Sequence, residues 1–503
     1  MLPVDAAIDT ASTPDSVADV PPSVDTTPVE TGEVQDADDA DGADGDTAVT
    51  PSACDETHPD HTVGLLSCAP AAYAGYTLFA PLAAKTVYLI DMAGRVVHTW
   101  DTGYSPGNVV KLLEDGRLLF TGDYSPDENP RLHGGGQGGL VRLLDWDGAV
   151  LWSYAYSTAT HRQHHDVAWL PSGNVLLVAW EFKSKTEVAA AGRDPATGTN
   201  AMWPDTIVEV APSGASSGDI VWEWHAWDHL IQDSDSQKAN YGVIAEHPER
   251  IDLNADGPHT PDWNHVNAVA YNADLDQIMI SVHEFSEVWI IDHSTTTTEA
   301  AGHTGGNRGR GGDLLYRWGN PKNHHAGAAE DQQLFGQHDA HWIPEGLSGA
   351  GHVLVFDNGR GRTGDKFSRI VELATGVQPD GSYALVGGAY PPTAPIWEYV
   401  ADPPTRFYSS YISGAQRLPN GNTLICSGES GRLFEVTSAG TLVWEYINPV
   451  FANGPHPQGE PLPTEAGKST NNVFRAYRFG ADFPGLAGRV LTPGAPIELP
   501  AGE

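Results

Sequence analysis

The sequence predicts an all-β protein, a six-bladed β-propeller preceded by a disordered acidic N-terminal tail. Three observations carry that prediction. The chain of 503 residues holds 55 Gly, 37 Pro and 15 Trp against only 27 Lys and Arg, a turn-rich composition rather than a helical one. A hairpin unit ending in an aromatic residue recurs six times after the tail. Between successive copies lies a second strand pair built around an L-P-x-G-like turn, so each repeat supplies four strands.

Taken in order, residues 1–70 read as the tail. The first fifty contain thirteen Asp and Glu, no Lys or Arg and no aromatic residue. Such a segment buries too little apolar surface to offset its ordering entropy, and its charges repel. It reads as a tether holding a folded body off a cell surface. Cys54 and Cys68, fourteen residues apart, are placed either for a disulfide outside the cytosol or as two separate thiols. Residues 71–490 form the propeller. Its hairpins include VYLIDMAGRVVHTW (87–100), VRLLDWDGAVLWSY (141–154) and RLFEVTSAGTLVWEY (432–446), with period-2 alternation and Gly-bearing turns. The intervening pairs include HDVAWLPSGNVLLV (165–178) and SGAQRLPNGNTLIC (413–426), and NVFRAYRF (472–479) reads as the closing strand. Residues 491–503 read as a C-terminal tail.

The formal charge of −39 opposes binding to nucleic acid or an anionic membrane. No apolar run is long enough to span a bilayer. The start, Met1-Leu2-Pro3-Val4, has no basic region and no apolar stretch of signal-peptide type. The expected location is nonetheless extracytoplasmic: periplasmic, secreted or at the cell surface.

In a propeller the first strand of each blade lines the central channel. Aligning those strands on their turns puts Asn108, His165, His265, His338, Ser413 and Asn472 at one mouth. Three equivalent histidines point to acid–base, nucleophilic or metal-ligand chemistry, and geometry alone does not choose among these. Three residues further on, Lys111, His341, Gln416 and Arg475 turn to the opposite face unless a bulge re-aims them. Arg360 and Arg362 lie in the glycine-rich VFDNGRGR (355–362) and offer planar donors to a sulfate, phosphate or carboxylate. Separately, Asp252, Asn254 and Asp256 match the first half of a calcium loop, but its twelfth position is Trp263, which leaves a structural calcium or an ordinary Asp/Asn turn.

DWNHVNAV (262–269), GQHDAHWIP (336–344) and VFDNGRGR (355–362), with the six-fold pattern, resemble the bacterial arylsulfotransferases over about residues 75–480. The resemblance implies a periplasmic enzyme that needs no cofactor and moves a sulfuryl group from an aryl sulfate to a phenol through a sulfohistidine. It makes His265 and His338 counterparts of active-site histidines and Arg362 the counterpart of the sulfate-clamping arginine. Asn267, Asn108, His341 and Arg475 are expected to help bind substrate. The family's nucleophile sits in a Gly-x-x-His-Leu-Phe segment. Here the stretch Gly428-Glu429-Ser430-Gly431-Arg432-Leu433-Phe434 puts Arg432 in that position. Arginine keeps its proton and cannot be the nucleophile, which leaves His165 or another histidine for the role and makes Arg432 a second anion contact. Two other functions stay open. One is a metal-dependent hydrolase with His165, His265 and His338 around an axial metal. The other is a surface-tethered propeller that binds without chemistry.

Overall fold

The alternating segments become strands, and the repeat becomes a ring of six antiparallel sheets in radial order, five of four strands and one of six. The computed structural model describes residues 54–124, 131–197, 201–255, 260–465 and 467–502. The inner strands, in chain order, are Pro106–Leu112, His161–Trp169, Val266–Asn272, His338–Trp342, Gly414–Arg417 and Val473–Phe479, and they define blades one to six. Blade six is made from both ends of the body. Its inner strand Val473–Phe479 pairs with Tyr76–Pro81, which continues into Thr86–Ile90 and Val96–Asp101. This is the closing strand expected from NVFRAYRF, and it buries the two edges an open array would expose.

The tail expected over 1–70 divides. Residues 1–53 lie outside the described residues. Residues 54–70 belong to the propeller: Gly64–Cys68 pairs outside Leu442–Ile447 of blade five, and Glu56–Thr57 pairs outside that. The apolar Leu65 is buried there, and a Cys54–Cys68 disulfide spans the addition with Cα atoms 5.6 Å apart. The C-terminal boundary also moves. Ile497 is buried, Leu499 N–H donates to His456 O, and Val96 N–H donates to Ala495 O, so residues 495–499 pack on the body instead of trailing from it.

Trp100, Trp152, Trp224, Trp289 and Trp444 pack in the apolar layers between blades. Burying one large side chain of this kind contributes roughly 1.5–3 kcal/mol. Among the described residues, no helix is long and apolar enough to cross a membrane.

Candidate active site at the axial mouth

The inner strands begin irregularly, and that irregularity builds the site. Their pairing with the second strand slips between Pro106 and Val110, Gln163 and Val167, Val266 and Ala268, and His338 and His341. A left-handed residue sits at or next to each slip: Asn108 (φ 97°), His165 (φ 50°), His265 (φ 52°) and Asp339 (φ 56°). Ser413 (φ 89°) does the same just before the inner strand of blade five. Non-glycine residues adopt this conformation at a cost, and bulges of this kind re-aim side chains.

The result is a row of imidazoles. Ring centroids are 5.1 Å apart from His164 to His165, 4.5 Å from His165 to His265, 5.2 Å from His265 to His283 and 5.4 Å from His283 to His338. His283 was not read from the sequence. It follows the second strand Gln277–Val282, and its N–H donates to His265 O. The readable signal was the hairpin itself, because an antiparallel turn brings the end of the second strand beside the start of the first.

Each ring is held differently. His265 Nδ1–H donates to Asp262 Oδ2 at 2.6 Å, and Trp180 Nε1–H donates to the other oxygen of that carboxylate. Burial opposes charge on His265, but the Asp262 carboxylate, with Glu284 and Asp205 behind it, prevails and lifts its pKa to about 9. His338 Nε2 accepts from Ile412 N–H at 3.2 Å, so its proton is on Nδ1, which donates to Asn358 Oδ1 at 2.8 Å. Burial, with the field of His283, holds His338 neutral. His165 is also neutral, through burial and the field of His265. Its Nδ1 lies 2.8 Å from His164 Nδ1, and His164 Nε2 lies 2.6 Å from Asp205 Oδ1. The row therefore carries one imidazolium among neutral rings. The Nε2 atoms of His165 and His265 have no hydrogen-bond partner among the described residues.

A glycine run crosses this row. A Cβ on Gly136 (φ 76°) would fall 2.1 Å from the His165 ring, and one on Gly134 3.2 Å from Asp262 Oδ2. Only glycine permits that approach. Arg162, fully buried, ties the run down through Leu132 O, Gly138 O and the Asp123 carboxylate.

The other expected residues fall in three places. Asn108 is at the same mouth, with a buried Nδ2 that has no partner among the described residues. Arg360 is exposed, flanks Gly336 together with His283, and its charge acts on His283 and Glu284. Arg362 is committed elsewhere: it bonds Asp357 at 2.6 Å and lies between the Phe335 and Phe367 rings. Arg432 begins the third strand of blade five, bonds Glu445 at 2.6 Å and covers Phe434. Asn267 is buried and donates to Gln337 O. Arg475 lies deeper on the axis, bonding Asp166 at 2.7 Å, and His341 lines a cavity at the far ends of the inner strands.

The three imidazoles proposed for an axial metal do not converge among the described residues, since both His338 nitrogens are engaged. The cluster that does converge is His229, His303 and Asp313, in the insertions of blades two and three. There Arg250 Nε already lies 3.2 Å from the Asp313 carboxylate. In the calcium-like loop, Asp252 Oδ1 accepts from Asn254 N–H, and Asn254 Oδ1 accepts from Asp194 N–H. Both side chains brace the turn, and Asp256 lies outside the described residues.

Solved structures share the chain's course only distantly. A protein of unknown function from Bacteroides caccae is 13% identical, with 81% of this chain and 99% of that one covered at a TM-score of 0.43. A virginiamycin B lyase from Staphylococcus aureus is 9% identical, with 78% and 87% covered at 0.35. Likenesses at this level carry no argument about activity. No curated protein matches the chain significantly. The family model described as arylsulfotransferase (ASST) matches residues 77–447, the propeller from the second strand of blade six to the outer strand of blade five, and the chain belongs to that family.

Proposed function

We propose that the protein transfers a sulfuryl group from an aryl sulfate to a phenolic acceptor, outside the cytoplasm, with His165 as the nucleophile and His265 as the acid–base group. One observation carries this reading. His165 and His265 present unpartnered Nε2 atoms on rings 4.5 Å apart, one neutral and one charged. A lone pair and a proton side by side are what breaking an aryl S–O bond requires.

In the first half-reaction His165 Nε2 attacks sulfur and the S–O(aryl) bond breaks. His265 Nε2–H protonates the departing phenolate. In the second, His265 takes the proton of the acceptor phenol, whose oxygen attacks sulfur and returns the electron pair to His165 Nε2. Charge in such a transition state spreads over the sulfuryl oxygens, and the His265 imidazolium and Arg360, which lies beside His283, are the cations we assign to it. Arg362 contributes by fixing the Asp357 loop that carries Arg360.

The test is release of nitrophenolate from p-nitrophenyl sulfate with and without phenol, before and after dialysis against a chelator. Acceptor-dependent release that survives chelation supports the proposal. Release lost with the metal favours a hydrolase. The ion-paired arginine at the family's nucleophile position favours a binding propeller, and binding of the aryl sulfate without turnover would establish it.

A further inference from the structure

We infer that Asp205, His164 and His165 form a two-proton relay that sets which nitrogen of His165 is free to attack, with Asp205 and His164 as positioning residues. This rests on the sulfuryl-transfer reading. The geometry behind it does not.

The three groups are in line. Asp205 Oδ1 is 2.6 Å from His164 Nε2, and His164 Nδ1 is 2.8 Å from His165 Nδ1. Two imidazole nitrogens at that distance share a single proton, so the tautomers of the two rings are locked together. The proton on His164 decides the rest. We assign Asp205 as the carboxylate of the chain: Oδ2 accepts from Val266 N–H at 3.0 Å, and Oδ1 lies 2.6 Å from His164 Nε2. His164 then carries its proton on Nε2, accepts on Nδ1, and holds the His165 proton on Nδ1. The lone pair of His165 is left on Nε2, beside Gly136.

The surroundings keep this register. Asp205 and His164 are fully buried, Asn264 Oδ1 accepts from Asp205 N–H, and His164 stacks on Trp180 with centroids 4.1 Å apart. Neither Asp205 nor His164 reaches the channel, so both act through His165. When the N–S bond forms at Nε2, the ring gains positive charge. Its Nδ1 proton moves to His164 Nδ1, the His164 Nε2 proton moves to Asp205, and the sulfurylated ring is left neutral. Asp205, fully buried, is the end of the relay. Transfer to the acceptor reverses each shift, so no proton or electron is unaccounted for.

The experiment is ring-nitrogen NMR on protein labelled with nitrogen-15 at histidine, with His165 assigned by the signals lost in His165→Gln. The wild type should show an unprotonated Nε2 at His165. In Asp205→Asn the amide donates to His164 Nε2, reverses both rings and protonates His165 Nε2. With p-nitrophenyl sulfate, kcat of this variant should fall about 10⁴-fold, as for a wrong tautomer behind a catalytic histidine, while KM stays within a few-fold. A protonated Nε2 in the wild type, or the same tautomer in both proteins, overturns the relay. The wild-type spectrum decides even if Asp205→Asn does not fold. The expected tautomers in a protein that turns over no aryl sulfate would sustain the relay and defeat the sulfuryl-transfer reading alone.

Discussion

The two ends of the channel are lined by the same six strands and differ in how their polar atoms are paired. At the strand starts, imidazoles face one another with lone pairs and a proton to spare. A few residues deeper, Asp166 accepts from Lys111 Nζ at 3.1 Å, Arg475 at 2.7 Å, and the N–H groups of Val167 and Val269, and Arg475 Nε lies 2.9 Å from Asp339. Burial favours the protonated acid, yet Arg475 and Lys111 hold Asp166 below the usual carboxylate range. There the buried charges are paired with one another, and this network is the plug. The other end leaves the Nε2 atoms of His165 and His265 unpartnered among the described residues.

The largest expected effect follows from breaking the plug. Arg475→Met leaves Asp339 buried without its counter-charge and Asp166 with Lys111 alone, which should cost about 3–5 kcal/mol. Urea unfolding should show it, and wild-type stability would mean the network is better hydrated than its burial implies. The next largest belongs to the reactive end. His265→Ala should lower turnover about 10²–10⁴-fold with the fold intact by circular dichroism. Asp262→Asn tests why His265 is charged. Burial would then act unopposed by that carboxylate, so the basic limb of the rate profile should move down from about pH 9. The sign for stability is the same: His265 gains on folding below its unfolded value, and the gain is lost as pH rises through about 9. An unmoved basic limb would place the acid elsewhere.

That contrast also explains what could be read from the sequence. The repeat, the turn spacing and the closing strand gave six blades, because period and turn chemistry are local. Three histidines of the row were legible as strand starts. His283, Asn358 and Asp205 were not, because each is brought in by a neighbouring strand end or loop, whereas Asp262 stands three residues ahead of His265 in the same segment. Asn358 follows Val353–Asp357 and meets His338, as His283 follows Gln277–Val282 and meets His265. Arg475 was expected at the substrate, but the bulged starts bring Asp166 and Asp339 beside it and commit it to the plug. Arg362 and Arg432 illustrate the same limit, since each is neutralised by an acid that only the folded sheet supplies.

A smaller effect separates packing from chemistry at the reactive end. Gly136→Ala puts a methyl group into the His165 ring and strains a backbone at φ 76°. Overpacking of this kind costs about 1–3 kcal/mol, which a large propeller tolerates. Turnover should nonetheless fall with the melting temperature little changed, because the displaced ring is the proposed nucleophile. A fall in both together would make the glycine run a structural strap.

The smallest effect is expected at the opposite end, and it is the sharpest control. His341 is half-exposed, and its Nδ1 contacts the backbone of its own strand at Asp339 O. It lines the far cavity with Trp169, Tyr271 and Phe479, on the other side of the ion-paired plug from the histidine row. His341→Gln keeps a donor and similar bulk, so stability should move by no more than about 0.5 kcal/mol. Turnover should be unchanged, with kcat and KM both at wild-type values. A raised KM would mean that substrate reaches the row through the far cavity, and the plug would then have to open during the reaction. Unchanged kinetics, against the loss in His265→Ala, would divide the channel functionally where the Asp166–Arg475 pair divides it physically.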